Sequence, residues 1–230
     1  MKSVLAHKSL EHFKSWQCEY WSHQQFEECV NINHDELDKA ISYSAKTFKH
    51  DRTTTVSLLQ ASNNQYVLKR YNARTHWHKY KRAFRRSRAR RCWKMSHEFS
   101  KAGLNVAMPM LMYEKRFGPI RRNAYFANEY LDGDEVLTAL PEMSEHEQMQ
   151  VVQAVKDAFK CLQENKLSHG DMKASNLLWV DKKLYFIDLD AANQHMTTLS
   201  WKHSNMKDRK RFLKNWIEFP EIQSMFDWLK

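Results

Sequence analysis

The sequence predicts an α+β chain of two lobes, the first rich in strands and the second mainly helical. Three observations point there. β-branched and aromatic runs fill residues 41–71, two longer apolar strands follow a basic helical stretch, and beyond Gly133 the periodicity turns helical. At 230 residues the chain is long enough for one large core or two smaller ones. The expected division is an N-terminal lobe over 1–128 with a polar extension over 1–40, a hinge over 129–133, and a shortened C-terminal lobe over 134–230.

Taken in order, "ISYSAKTF", "TTTVSLLQ" and "QYVLKRY" read as strands, with "ASNN" as the turn between the last two. A helix is expected from Ser87, its N-cap, to Gly103, its stop, with Cys92, Met95, Phe99 and Ala102 on one face. "VAMPMLMYEKR" and "RNAYFANEYLDG" follow as strands, the second ending at Gly133. Ser144 and Glu147 stand at capping-box spacing before the helical run "MQVVQAVKDAFKCLQENK". A polar loop, the apolar run "KLYFIDLD" and a charged, tryptophan-bearing helical tail complete the chain.

Composition narrows the function classes. With 42% hydrophobic residues, 13% aromatics and a negative mean hydropathy, the chain is expected to be soluble and globular. No run reaches the length of an apolar membrane span, and the N-terminus has no continuous apolar stretch of a secretory signal. Cys18, Cys29, Cys92 and Cys161 form no CxxC pair, so neither structural zinc nor a disulfide framework is expected, and a cytoplasmic location fits. His76 and His78 lack a carboxylate or thiol at ligand spacing and read as surface histidines. The formal charge is +10, and no Asp or Glu occurs between Arg52 and His97. The block "KRYNARTHWHKYKRAFRRSRARRCWK" suggests an anionic partner (nucleic acid, an acidic membrane face or a phosphorylated substrate), or else a solvated helix face.

The chemistry concentrates in "LSHGDMKASNLLWVDKKLYFIDLD", Leu167 to Asp190. Phosphoryl transfer from ATP needs a group to orient and deprotonate the attacking hydroxyl, ligands for Mg²⁺, and a cation for the charge that moves. A kinase catalytic loop has its base aspartate five residues before a metal-binding asparagine, and a second metal aspartate follows a short hairpin. Here Asp171 and Asn176 have that separation, and Lys173 is placed to reach a γ-phosphate. "WVDKKLYFID" reads as a hairpin turning at 181–183 and delivering Asp188 as the second metal ligand. Asp190 competes for that role, but Asp188 directly follows the apolar "YFI". A bare loop whose Asp and Asn only cap turns is the bland alternative. Upstream, Lys69 ends "YVLK" as a strand lysine for the α- and β-phosphates, and the backbone of Glu129–Tyr130–Leu131 would meet adenine.

With these residues in hand, the chain resembles the bacterial lipopolysaccharide core kinases, the Kdo/heptose kinase family of the protein-kinase-like superfamily. The arginine-rich helix from Ser87, the strands and hinge that lead to "NEYLDG", and "KDRKRFLKNW" near the C-terminus carry the likeness, over roughly residues 69–216. It implies a protein-kinase-like bilobal fold and ATP- and Mg²⁺-dependent phosphorylation of an inner-core sugar hydroxyl at the cytoplasmic face of the inner membrane. The partners implied are an acidic glycolipid or sugar and an anionic membrane surface, not nucleic acid. The pattern departs from kinases in three ways. No glycine-rich loop exists, so Thr53, Thr54 and Thr55 would have to cover the phosphates with their backbone amides. Glu98 is the only acidic residue of its helix and the candidate partner of Lys69. The lysine of "HGDMK" also resembles RIO-type protein Ser/Thr kinases, which leaves a protein kinase, or a kinase-shaped binding protein without turnover, as alternatives.

Overall fold

The computed structural model describes residues 10–44, 46–72 and 87–230. The centre of the basic block, with His76, Trp77 and His78, lies outside the described residues, as do residues 1–9. Two compact units emerge: 1–93 with 108–130, and 94–107 with 131–230.

The first unit is built on a seven-stranded antiparallel sheet. Strands β1 (Leu10–Lys14) and β2 (Cys18–His23) form a hairpin, and helix α1 (His34–Ser42) follows. Next come β3 (Thr47–His50), β4 (Thr54–Ala61) and β5 (Asn64–Tyr71). Helix α2 (Arg88–Lys101) and the short β6 (Asn105–Val106) precede β7 (Pro109–Phe117) and β8 (Ile120–Glu129). The sheet order is β1-β2-β7-β8-β5-β4-β3.

Period-two alternation divides the sheet's faces. Tyr66 and Leu68 of β5 join Leu111 and Tyr113 of β7 and Tyr125 and Ala127 of β8 in one core, which Phe26, Leu37 and Ile41 cover. The Phe26 ring meets Tyr66 edge-on at 4.9 Å. Asp38 of α1 ties helix to sheet by accepting hydrogen bonds from Arg70 (2.9 Å) and the Tyr125 hydroxyl (2.7 Å).

Within residues 10–40 of the expected polar extension, β1 and β2 widen the sheet and α1 closes its core. One strand expectation is corrected. The first half of "ISYSAKTF" is the end of α1, which Asn33 caps by accepting from the Glu36 amide at 2.9 Å. The helix wins there because Leu37 and Ile41, four apart, share its buried face.

The second unit begins within α2. Its second half packs Phe99 edge-on against Phe186, 5.5 Å between ring centres, and β6 pairs in parallel with a later strand. Residues 94–107 therefore group with the C-terminal lobe and not, as expected, with the first. The strand expected to run to Gly133 stops at Glu129 as β8, and a separate short strand, β9 (Asp134–Glu135), follows Gly133. Gly133 serves close approach instead, since a Cβ there would sit 2.4 Å from Val180 Cγ2 and 2.8 Å from the Trp179 carbonyl oxygen. Helix α3 (Glu145–Glu164) opens with the full Ser144/Glu147 capping box. Strand β10 (Leu167–Ser168) leads to the polar loop, and β11 (Leu177–Val180) and β12 (Lys183–Phe186) form the hairpin. Asp181 and Lys182 both take positive φ (46° and 61°), as a two-residue turn matched to strand twist requires. Strand β13 (Asn193–Gln194) pairs with β10, and β12 pairs with β6. Helices α4 (Thr198–Lys214) and α5 (Pro220–Met225) close the chain. Phe212, Trp216 and Phe226 pack as a fully buried aromatic cluster.

Candidate active site

The His-Gly-Asp turn emerges from β10 and is held from below by α4. The buried Asp208 carboxylate of α4 accepts the backbone N–H of His169 at 2.8 Å and of Gly170 at 3.0 Å. Gly170 has φ +79, and a Cβ there would lie 2.4 Å from the Ala191 carbonyl oxygen, so only glycine fits this turn. Trp201, also on α4, donates its indole N–H to the Leu167 carbonyl at 3.0 Å.

His169 is fully buried and braces the loop. Its Nε2–H donates to the Ile187 carbonyl at 3.0 Å, while Nδ1 accepts the Asp171 amide at 3.3 Å. Both bonds together assign a neutral tautomer, and burial holds the imidazole below its ordinary 6.5. Asn176 closes the same network. Its Nδ2 donates to the Asp171 carbonyl at 2.8 Å, and its own carbonyl accepts the Ile187 amide at 3.0 Å. That leaves Asn176 Oδ1 as the atom available to a hard cation.

Asp188 follows Ile187, whose N–H and C=O are both committed to this network. Its backbone takes φ +58, a left-handed conformation uncommon outside glycine and concentrated at functional positions. Asp190 is buried, 9% exposed, whereas Asp188 is half-buried. Asp171 and Asn176 are thus joined within one unit by main-chain and amide hydrogen bonds that also hold Ile187, the residue before Asp188. The set suits Mg²⁺ held by one or two protein oxygens and completed by substrate phosphates. Among the described residues no three His, Cys, Asp or Glu side chains converge as a self-sufficient metal site.

Arg211 is a site residue that sequence reasoning missed. One α4 turn beyond Asp208, its Nη1 donates to the Gly170 carbonyl at 3.2 Å and to Asp171 Oδ1. Lys173 Nζ lies 3.5 Å from the other oxygen, Asp171 Oδ2. Asp208 takes the turn's donors and Arg211 serves its acceptors, so one helix face clamps the turn from both polarities. The signal was present in "KDRKRF", where Asp and Arg stand three apart on a helix.

Of the remaining expected residues, Lys69 and Glu129 lie in the first unit and Glu98 and Leu131 in the second. Lys69 lies in β5 between Val56 of β4 and Phe126 of β8, on the face opposite Leu68. Glu98 is ion-paired to Lys101 at 3.3 Å, one helical turn away. Glu129 accepts the Met108 amide through Oε1 at 2.9 Å, and its carbonyl accepts from Asn128 Nδ2 at 2.7 Å. Leu131 begins the longer segment of the second unit, 131–230.

The threonine loop is closed by its own acceptor. Asp51 Oδ1 accepts the amides of Thr53 (2.7 Å) and Thr54 (2.8 Å) and the Thr53 hydroxyl (2.7 Å). These bonds, the Thr53 hydroxyl foremost, hold the Asp51 carboxyl far below its ordinary range. Thr54 and Thr55 side chains are buried, and Thr54 Oγ1 accepts from Arg88 at 2.9 Å. The Thr53 and Thr54 amides that phosphates would need are already occupied by an internal carboxylate. The arginine-rich helix is likewise partly turned inward. Arg88 covers the Tyr71 ring at 4.7 Å, and Arg90 covers Trp21 at 4.5 Å while pairing with buried Glu19.

A family model described as "Lipopolysaccharide kinase (Kdo/WaaP) family" matches residues 42–225. The chain belongs to the lipopolysaccharide kinase family. A solved structure of WaaP in complex with acyl carrier protein is similar over 91% of this chain and 95% of that one, with 14% identity and a TM-score of 0.62. The kinase domain of Mycobacterium tuberculosis PknI, in a substituted form, covers 74% of this chain and 71% of its own, with 15% identity and a TM-score of 0.46. No curated protein was found to match. The fold is protein-kinase-like, with a β-rich N-terminal part and a helical C-terminal part, and the chain is a kinase of lipopolysaccharide type.

Proposed function

We propose that this kinase transfers the γ-phosphoryl group of ATP, with Mg²⁺, to a sugar hydroxyl of the lipopolysaccharide inner core, a Kdo or heptose. The observation that supports the reading is the network that ties Asp171 to Asn176 and both, through His169 and Ile187, to the segment leading into Asp188.

Asp171 orients the acceptor hydroxyl and takes its proton as the oxygen attacks the γ-phosphorus. Lys173, beside Asp171, stabilises charge on the transferring phosphoryl group. Asn176 Oδ1 and the Asp188 carboxylate would hold Mg²⁺, which when bound neutralises the β- and γ-phosphates. Lys69 binds the α- and β-phosphates, and the backbone of Glu129 and Leu131 meets adenine. With the Thr53 and Thr54 amides occupied, Lys69 carries more of the phosphate binding than a strand lysine under a glycine-rich loop. Inner-core sugars are acidic or phosphorylated, which suits a chain of +10 net charge acting at the surface of an anionic membrane.

Family membership weighs against the RIO-like protein kinase, and the complete Asp171, Lys173, Asn176 and Asp188 set weighs against a binding protein without turnover. Purified chain is incubated with Mg²⁺ and γ-labelled ATP, with delipidated core oligosaccharide or lysate protein as acceptor. Label in the oligosaccharide is expected. Label in protein alone, or none in either, contradicts the proposal.

A further inference from the structure

The two hairpins at the β1 edge of the first unit end in turns that are stitched together. The Arg116 amide donates to the Gln17 carbonyl at 2.6 Å and the Gly118 amide to the Trp16 carbonyl at 3.0 Å. On this joined platform Trp16 is 67% exposed, Phe117 59% and Ile120 39%. Single exposed apolar residues need no explanation, but three large ones on adjoining turns do.

Trp16 is held in this exposed position by specific packing. Its indole lies over Gly118, where a Cβ would come within 2.7 Å of Trp16 Cζ2, and it meets the Phe117 ring edge-on at 6.5 Å. Gly118 also has φ +58. One of only four glycines in the chain therefore seats a solvent-facing tryptophan. The ring nonetheless stays mostly in water.

The charged residues of the two turns themselves are cations. Residues 115–122, "KRFGPIRR", carry four cations and no carboxylate, and the neighbouring turn "FKSWQ" adds Lys14. Arg116 and Arg121 turn inward to Glu114. Arg122 remains exposed over the Phe117 ring at 5.9 Å, Lys14 is exposed, and Lys115 is half-exposed.

We propose that this turn pair is the membrane-docking surface of the kinase, with Trp16, Phe117 and Ile120 entering the headgroup layer of an anionic bilayer. Tryptophan and phenylalanine favour that depth, where an apolar ring can be buried while polar edges stay hydrated. Lys14, Lys115 and Arg122 reach phosphate groups at the same level with their long side chains. Exposed aromatic rings flanked by cations match a negatively charged lipid surface. The inference names the surface that meets the membrane and does not depend on the phosphotransfer chemistry.

The test is co-sedimentation of the full chain with vesicles of phosphatidylcholine alone or mixed with phosphatidylglycerol, at low and raised salt. The wild type should bind the anionic vesicles, bind the neutral ones weakly, and be released by salt. The double substitution Trp16→Ser with Phe117→Ser should lower partitioning onto anionic vesicles by about tenfold or more. It should leave thermal stability and ATP-dependent labelling of a water-soluble acceptor unchanged. Lys115→Glu with Arg122→Glu, which keeps both rings, should weaken anionic binding to a similar degree. Wild-type indifference to anionic vesicles overturns the proposal, and so does unchanged binding by both double variants. A chain that docks on vesicles yet labels no acceptor refutes the kinase reading alone.

Discussion

Asp208→Asn is the sharpest perturbation of the catalytic turn that leaves its shape alone. The wild-type carboxylate, 2% exposed, accepts two backbone N–H groups, from His169 at 2.8 Å and Gly170 at 3.0 Å. Asparagine keeps one acceptor oxygen and turns an NH₂ toward the second amide. The loss is one charge-assisted bond and an amide left without a partner, about 2–4 kcal/mol in all. For a chain of this size that lowers Tm by about 5–15 °C. Displacing the turn by even about 1 Å should cut kcat by about a hundredfold, with KM for ATP little changed. The pH dependence has a definite sign. Burial raises the Asp208 carboxyl above its ordinary 3.8, so the native state holds this proton more tightly than the unfolded chain. The stability it confers is fully present below that ordinary value and declines as pH rises through the raised one. Asparagine does not titrate, so the part of the pH dependence that Asp208 contributes should be missing from the variant's stability curve. Thermal melts from acid to neutral pH, paired with phosphotransfer rates, read all three effects. A variant with wild-type Tm and kcat would refute the clamp.

Other substitutions probe the same network from different sides. Gly170→Ala drives a methyl into the Ala191 carbonyl and demands a left-handed φ of alanine, so expression with severely reduced Tm or aggregation is expected; a normally stable, active variant contradicts the turn geometry. Arg211→Ala, at a half-exposed side chain, should change Tm by no more than about 3 °C yet lower kcat about tenfold or more by freeing the Asp171 carboxylate, with partial recovery in Arg211→Lys. Equal kcat in all three forms contradicts a positioning role. Lys69→Met should raise KM for ATP or abolish turnover without loss of fold, checked by melting and by ATP titration; unchanged ATP kinetics would remove Lys69 from the site.

Much of the second unit was legible because its chemistry is local in sequence. Asp171 and Asn176 lie on one turn, and the β11–β12 hairpin carries Asp188 back to it, so spacing alone placed them together. Asp208 and Arg211 were not legible as partners of that turn, because they reach it from a helix almost forty residues later. The β1–β2 hairpin escaped for another reason. Its turn has no Gly, Asn or Pro; Ser15 shapes it, donating its amide to the Cys18 carbonyl at 2.8 Å and accepting the Cys18 amide on its hydroxyl at 3.1 Å. The fate of the threonine loop was equally hidden. A missing glycine motif is visible in sequence, but not that Asp51 occupies the loop's own amides.

The central claim is that Asp171, with Asn176 and Asp188, transfers phosphate from ATP to an inner-core sugar. Single-turnover labelling of core oligosaccharide by the wild type, Asp171→Asn and Asp188→Asn tests it directly, with melting curves recorded for each. The account predicts Mg²⁺-dependent transfer by the wild type and a loss of about a hundredfold or more in each variant at near-native stability. Transfer by Asp171→Asn at the wild-type rate, or none by the intact chain, would contradict it.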